Sequence, residues 1–195
     1  MRLLIIVPCY ESIEPATFKS IYGLQRVDGW DYLLDVIEGY GVQHARTLAV
    51  TEAIEGGFDK LLFVDSDVIL PPDAIPRLLA VDAAIATGWH MKKRSLDGAT
   101  ELYDYDAENM RFVNIDTSEL NGEVRDVGGC GMGCCMIDIP AITPVYDNSW
   151  LEYVVYLDGS RLSEDNNFCL HAAKAGLSIK ADTSLRCGHV CKIVL

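Results

Sequence analysis

Leu61-Leu62-Phe63-Val64-Asp65-Ser66-Asp67 sets four apolar residues directly before two carboxylates that are separated by one residue. Four consecutive apolar side chains without polar alternation suit a strand buried on both faces, as in a sheet covered by helices. In open α/β sheets ligands gather at the carboxyl ends of the strands. Asp65 and Asp67 therefore stand where chemistry is expected, and such a pair suits a hard divalent cation that keeps positions open for phosphate oxygens. The competing reading is a solvated turn whose aspartates cap loop amides.

Upstream, Leu3-Leu4-Ile5-Ile6-Val7 reads as another buried strand, ended by Pro8. Residues 15–24 suit a helix with Phe18, Ile21 and Tyr22 at i, i+3 and i+4, and residues 32–37 suit a second strand closed by Gly39 and Gly41. Residues 43–54 are helical again, with Gly56-Gly57 as the stop. Downstream, Pro71-Pro72-Asp73 opens a short helix to Leu79, and residues 83–87 form a fourth strand. Strands alternating with helices predict βαβ units: an α/β fold with a mostly parallel central sheet and helices on both faces.

After Gly88 the pattern changes. Residues 89–121 are polar and mixed, predicting a loop with a small antiparallel part at 112–115 and 123–127. The run Gly128-Gly129-Cys130-Gly131-Met132-Gly133 precedes an apolar strand over 134–139 that Pro140 closes. A last helix runs from Ser163, as N-cap, to Gly176, as C′ residue, and a final strand leads from Leu177 to Cys187-Gly188-His189. With no repeat, linker or low-complexity tract, residues 1–195 read as a single domain.

Half of the 195 residues are hydrophobic and 23% are charged, the composition of a globular chain. Lysine and arginine number 16 against 29 acids, a net charge of −13, which argues against nucleic acid and anionic membranes as partners. No apolar run is long enough to span a bilayer, and Pro8, Tyr10 and Glu11 interrupt the first one too early for a secretory signal. Seven cysteines, an odd number, predict reduced thiols and a cytoplasmic location.

Five other features bear on chemistry. Glu164 and Asp165 follow Ser163 at the start of the last helix; they serve either the helix dipole, at about 0.3–1 kcal/mol, or as a general base pointed into a cleft. His189 is either structural or completes a cation site with Asp67, if the final strand runs back past the third one. Cys130, Cys134, Cys135, Cys187 and Cys191, with His189, lack zinc-knuckle spacing, and the cysteines read better as small buried residues. Lys92-Lys93-Arg94, the one basic triplet, is either solvated or reaches a diphosphate. Gly129, Gly131 and Gly133 precede a strand rather than a helix, so they suit a turn or a close approach to ligand rather than a dinucleotide loop.

Together the motifs resemble family-2 glycosyltransferases of the GT-A fold. Ile5-Ile6-Val7-Pro8-Cys9-Tyr10-Glu11 is similar to that family's opening strand and Pro-x-Tyr turn, and Ala45-Arg46-Thr47 to its Ala-Arg-Asn helix. Phe63-Val64-Asp65-Ser66-Asp67 resembles its Asp-x-Asp motif. Ser163-Glu164-Asp165, Phe168-Cys169, Ala175-Gly176 and Cys187-Gly188-His189 resemble its Glu-Asp helix and closing histidine. The order is kept over nearly the whole chain. The resemblance implies a nucleotide-sugar donor, UDP-sugar favoured, with Mn²⁺ or Mg²⁺, a hydroxyl-bearing acceptor (glycan, lipid or protein) and inversion at the anomeric carbon. It assigns 1–88 to a nucleotide-binding half and 89–195 to an acceptor and catalytic half. Pro8, Tyr10, Glu11, Arg46, Asp65 and Ser66 would serve the nucleotide, and Asp67, His189 and Asp65 the metal. Asp165 would be the base with Glu164 beside it, and Trp89, Gly131 and Met132 would lie near donor sugar and acceptor. Where the family carries Asp-Asp-Gly-Ser this chain has residues 34–39, in which Asp35 or Glu38 would substitute.

Two rival readings remain at this level. One is an aspartyl-nucleophile phosphatase using Asp65, although its motif belongs on a first strand and Ile69 stands where it has Thr or Val. The other is a sugar-nucleotide binding module without catalysis. A nucleotidyltransferase fits less well, since nothing after the first strand offers a glycine-rich basic loop.

Overall fold

Leu3 to Val7 are all buried, so their strand must be covered on both faces and flanked on both edges. The computed structural model describes residues 1–93, 98–157 and 159–191, and it gives that strand such a position. The first half runs β1 (Arg2–Cys9), α1 (Pro15–Tyr22), β2 (Asp31–Glu38), α2 (Val42–Glu55), β3 (Lys60–Val64), β4 (Val68–Ile69), α3 (Ala74–Ala80) and β5 (Ile85–Trp89). The second half opens with β6 (Ala99–Asp106), β7 (Arg111–Asp116), β8 (Val124–Asp126) and β9 (Gly129–Cys130). It continues with β10 (Cys134–Asp138), α4 (Ile139–Ile142), β11 (Val154–Val155), β12 (Arg161–Leu162), α5 (Glu164–Lys174), β13 (Ile179–Arg186) and β14 (Gly188–His189).

Seven strands form the central sheet in the order β2-β1-β3-β10-β5-β13-β8. Successive side chains of a strand point to opposite faces, and β1 divides accordingly. Leu4 and Ile6 join Phe63, Ile137, Phe168 and the α2 residues Ala49, Val50 and Ala53 in one core. Leu3, Ile5 and Val7 join Leu62, Val64 and the α3 residues Ile75 and Leu78 in the other.

The sheet is mixed rather than mostly parallel. β1 is parallel to β2 and β3, and β13 to β5, but β10 is antiparallel to both β3 and β5, and β8 is antiparallel to β13. The cause is where β10 starts. Cys134 lies opposite Val64 and Asp138 opposite Lys60, so β10 enters at the carboxyl end of β3 and runs back down. The glycine run before it is thereby set beside Asp65, whose N–H donates to the Gly133 carbonyl at 3.3 Å.

β1 continues through Pro8 to Cys9, past the expected stop. Pairing with β3 ends at Ile6↔Phe63, so at Pro8 the strand is paired only with β2, an edge-like position where a missing N–H is tolerated. The expected loop beyond Gly88 is largely a separate sheet of order β7-β6-β9. The last helix begins as expected: the Ser163 side chain accepts from Asn166 N–H, and Gly176 takes φ +78° just beyond the end. Among the described residues no helix is long and apolar enough to cross a membrane. The seven cysteines are free thiols, six of them buried.

Candidate active site

The turn after β3 and the chain end are tied together by backbone. Val68 N–H donates to the Asp65 carbonyl at 3.0 Å, closing a turn that leads the chain into β4. β4 pairs antiparallel with β14, which sets His189 opposite Val68, and Val190 N–H donates to the Asp67 carbonyl at 2.8 Å. His189 Nε2 consequently lies 3.4 Å from Asp67 Oδ1, while its Nδ1 donates to the Met91 carbonyl at 2.8 Å.

Behind this turn, α2 sends Arg46 into the protein, where it is 2% exposed. Its guanidinium donates to Asp65 Oδ1 at 2.8 Å, Glu164 Oε1 at 2.9 Å and Asp165 Oδ1 at 2.8 Å. Burial alone would discharge such a group, but three adjacent carboxylates hold it charged well above its ordinary range. The acids differ in turn. Burial and the neighbouring Asp165 charge push Glu164 up to about 7. Burial also works to raise Asp165, yet Arg46 and the Met132 N–H, which donates to Oδ2 at 3.2 Å, hold it below the usual carboxylate range. Arg46 thus joins the end of β3 to the start of α5.

Asp65, Asp67, His189, Glu164 and Asp165 line one cavity of about 1120 Å³. At its β3 end Lys93 Nζ donates to Asp67 Oδ2. Burial would raise Asp67, but His189 and Lys93 pull it down to about 2. Burial would lower His189, and Asp67 with the Met91 carbonyl raises it instead. The far wall comes from the β6–β7 hairpin: Tyr103, Tyr105 and Phe112 line it, with the Tyr105 and Phe112 rings 5.1 Å apart, and Tyr103 Oη donates to Glu101 Oε2.

Among the described residues no three His, Cys, Asp or Glu side chains already converge on one point as a metal site. The donor set nevertheless fits a divalent cation. Asp65 uses only Oδ1 on Arg46, and Asp67 and the His189 imidazole face each other. Gly133 keeps space there: a Cβ on it would stand 2.7 Å from His90 Nε2 and 3.2 Å from Asp65 Oδ2.

His90 is the residue that the sequence reading misses. It is 4% exposed and lines the cavity, directly after β5. Its ring meets that of His189 edge-on with centroids 4.6 Å apart, and burial followed by the His189 charge pushes it below the ordinary histidine range. Its Nε2 is buried without a hydrogen-bond partner among the described residues. The available signal is position: it follows a buried strand at the sheet's carboxyl end, as Asp65 does.

The remaining expected residues are dispersed. Gly131 lines the cavity, where a Cβ would be 3.7 Å from Asp165 Oδ2. Met132 is fully buried and contributes its N–H rather than its side chain. Trp89 is buried in the core, its Nε1 donating to the Thr183 carbonyl at 2.7 Å. The resemblance puts both beside sugar and acceptor; both instead pack away from the cavity, because they end or abut strands buried on two faces. Pro8 is buried in β1; Tyr10 and Glu11 are exposed in the loop after it; the Ser66 carbonyl accepts from Glu14 N–H at 2.8 Å. Asp35 is exposed on β2, the outermost strand of the sheet, and Glu38 is exposed at that strand's end, opposite Cys9. Arg94 lies outside the described residues.

No sequence family and no curated protein matches the chain. Solved structures do. A197 from STIV is similar at a TM-score of 0.65 and 18% identity, over 98% of this chain and 87% of that one. GalNAc-T7, solved with UDP, GalNAc and Mn²⁺, is similar at a TM-score of 0.64 and 12% identity, over 98% of this chain and 44% of that one. The chain therefore spans under half the length of GalNAc-T7. At these identities the likeness shows the fold alone: a mixed α/β, GT-A-like arrangement.

Proposed function

We propose that the chain is a metal-dependent glycosyltransferase that moves a sugar from a nucleotide diphosphate, UDP-sugar favoured, to an acceptor hydroxyl. The observation carrying this reading is that the Asp65-Ser66-Asp67 turn, His189 and the Glu164-Asp165 pair share one cavity at the carboxyl end of the sheet. The GT-A-like fold supports it, and so does the presence of UDP and Mn²⁺ in the GalNAc-T7 structure.

In this reading Asp67 and His189 would hold the cation, with Asp65 behind them. A cation held there would supply positive charge to offset the charge on the departing diphosphate. The ammonium of Lys93, on the same side, exchanges its contact with Asp67 for a phosphate oxygen. Asp165 remains ionised at neutral pH, and its Oδ2, oriented by the Met132 N–H, takes the acceptor proton. The acceptor oxygen bonds to the anomeric carbon while the bond from that carbon to the phosphate oxygen breaks, and the diphosphate leaves with the electron pair. Arg46 fixes Asp65 and Asp165 on one rigid fork, so the donor and acceptor sides keep their spacing.

The test is calorimetric titration of UDP into metal-free protein, with and without Mn²⁺. The expected result is Mn²⁺-dependent binding that Asp67→Ala abolishes. Binding indifferent to both metal and Asp67 refutes the site. Mn²⁺-dependent binding without transfer or hydrolysis of any UDP-sugar would instead establish a binding module.

A further inference from the structure

Two imidazoles share one carbonyl. The Met91 carbonyl oxygen receives His189 Nδ1 at 2.8 Å and His90 Nδ1 at 3.4 Å. A carbonyl only accepts, so in both rings Nδ1 must be the donor, and each Nε2 is left on the far side of its ring. The rings then meet edge-on at 4.6 Å. His189 directs Nε2 at Asp67; His90 Nε2 stands beside Gly133 and Asp65 Oδ2 with no hydrogen-bond partner among the described residues. An Nδ1–H held by a backbone carbonyl with Nε2 left free is how protein frameworks orient histidine for metal ligation.

The alternative occupant is a phosphate oxygen, but a phosphate brings no proton to a nitrogen lone pair. A hydroxyl donor or a cation can satisfy that lone pair, and the Asp65 carboxylate oxygen beside it favours the cation. We propose that His90 is a second imidazole ligand of the divalent cation, paired with His189 and oriented by the same Met91 carbonyl. The inference rests on the metal-dependent reading above and adds to it a nitrogen-rich donor set. Imidazole favours transition ions, whereas carboxylate and water alone suit Mg²⁺. The centre therefore selects Mn²⁺, or Co²⁺, over Mg²⁺. Lys93, with its side chain half exposed, gives up Asp67 as the ion enters.

Pulsed electron paramagnetic resonance of the full chain with Mn²⁺ and UDP counts the ligated nitrogens directly. The expected spectrum shows ¹⁴N couplings from two imidazoles, reduced to one in His90→Gln and to one in His189→Gln. Titration of the free Mn²⁺ signal should show His90→Gln weakening Mn²⁺ binding about tenfold or more, with Mg²⁺ binding changed much less. A single nitrogen in the wild type, lost in His189→Gln and untouched by His90→Gln, overturns the proposal while leaving the glycosyltransferase reading intact. No Mn²⁺ bound to the wild type, with or without UDP, overturns both. If His90→Gln fails to fold, the wild-type nitrogen count, repeated on ¹⁵N-histidine protein, decides the matter alone.

Discussion

Replacing Glu164 with glutamine should stabilise the protein at alkaline pH and do nothing at acid pH. Glu164 is buried beside Asp165, and its acid is pushed up to about 7 from an ordinary 4.5. The folded state thus holds this proton more tightly than the unfolded chain does. Its contribution is fully present below 4.5 and is lost as pH rises through about 7. Raising a pKa by one pH unit is worth about 1.4 kcal/mol, so ionised Glu164 costs the folded state on the order of 3 kcal/mol above that range. Glutamine keeps an oxygen for Arg46 Nη1 and carries no charge, so the variant avoids this cost. Urea unfolding of wild type and Glu164→Gln at pH 4.5 and pH 8.5 measures it. The gain should approach a few kcal/mol at pH 8.5 and fade to near zero at pH 4.5. A difference independent of pH, or a variant less stable at pH 8.5, would show that Arg46 already neutralises Glu164 and refute the reasoning.

Asp165→Asn should leave UDP–Mn²⁺ binding unchanged and lower kcat by about 10²–10⁴. In the wild type, proton NMR of the product should show an inverted anomeric centre, and retention would remove Asp165 as the base. Arg46→Met strands three carboxylates and should cost about 3–5 kcal/mol in urea unfolding, more at pH 8 than at pH 5; a loss under about 1 kcal/mol would mean that solvent already screens them. Lys93→Ala should tighten Mn²⁺ binding in the absence of nucleotide and weaken UDP binding in its presence. Changes of the same sign in both titrations would refute the exchange of Lys93 between Asp67 and phosphate.

How legible the molecule is depends on which physical signal each element carries. β1, β3 and the helices between them announce themselves through continuous apolar runs and glycine stops, because burial on both faces leaves no room for polar alternation. The direction of β10 carries no such signal, since an apolar run reads the same whichever way its strand lies, and so the sheet is mixed where the pattern predicts a mostly parallel one. β6 is hidden by its acids: Glu101, Asp104 and Asp106 interrupt Thr100, Leu102 and Tyr103 and make a strand look like a loop. Asp65 and Asp67 are readable from their place after a buried strand. The partners of Arg46 are not, because hydrogen bonds spanning 118 and 119 residues leave no local pattern. Trp89 illustrates the opposite ambiguity: an aromatic residue at a strand's end fits a core as well as a ligand pocket, and here the core takes it.

The reversed strand between β3 and β5 also dictates when the protein can become a protein. Among the described residues, no hydrogen bond of the central sheet joins β3 to β5 directly; β10 bridges them. During synthesis β1, β2 and β3 can pair as soon as they emerge, but Ile85–Trp89 must wait for residues 134–138 before either of its edges is met. A strand destined for full burial is thus held unpaired for roughly fifty residues of translation, several seconds at ribosomal speed. Such a delay favours slow, non-local folding and leaves a sticky edge for chaperones or for other nascent chains. The first 88 residues made alone should therefore aggregate, however complete their pattern of strands and helices looks.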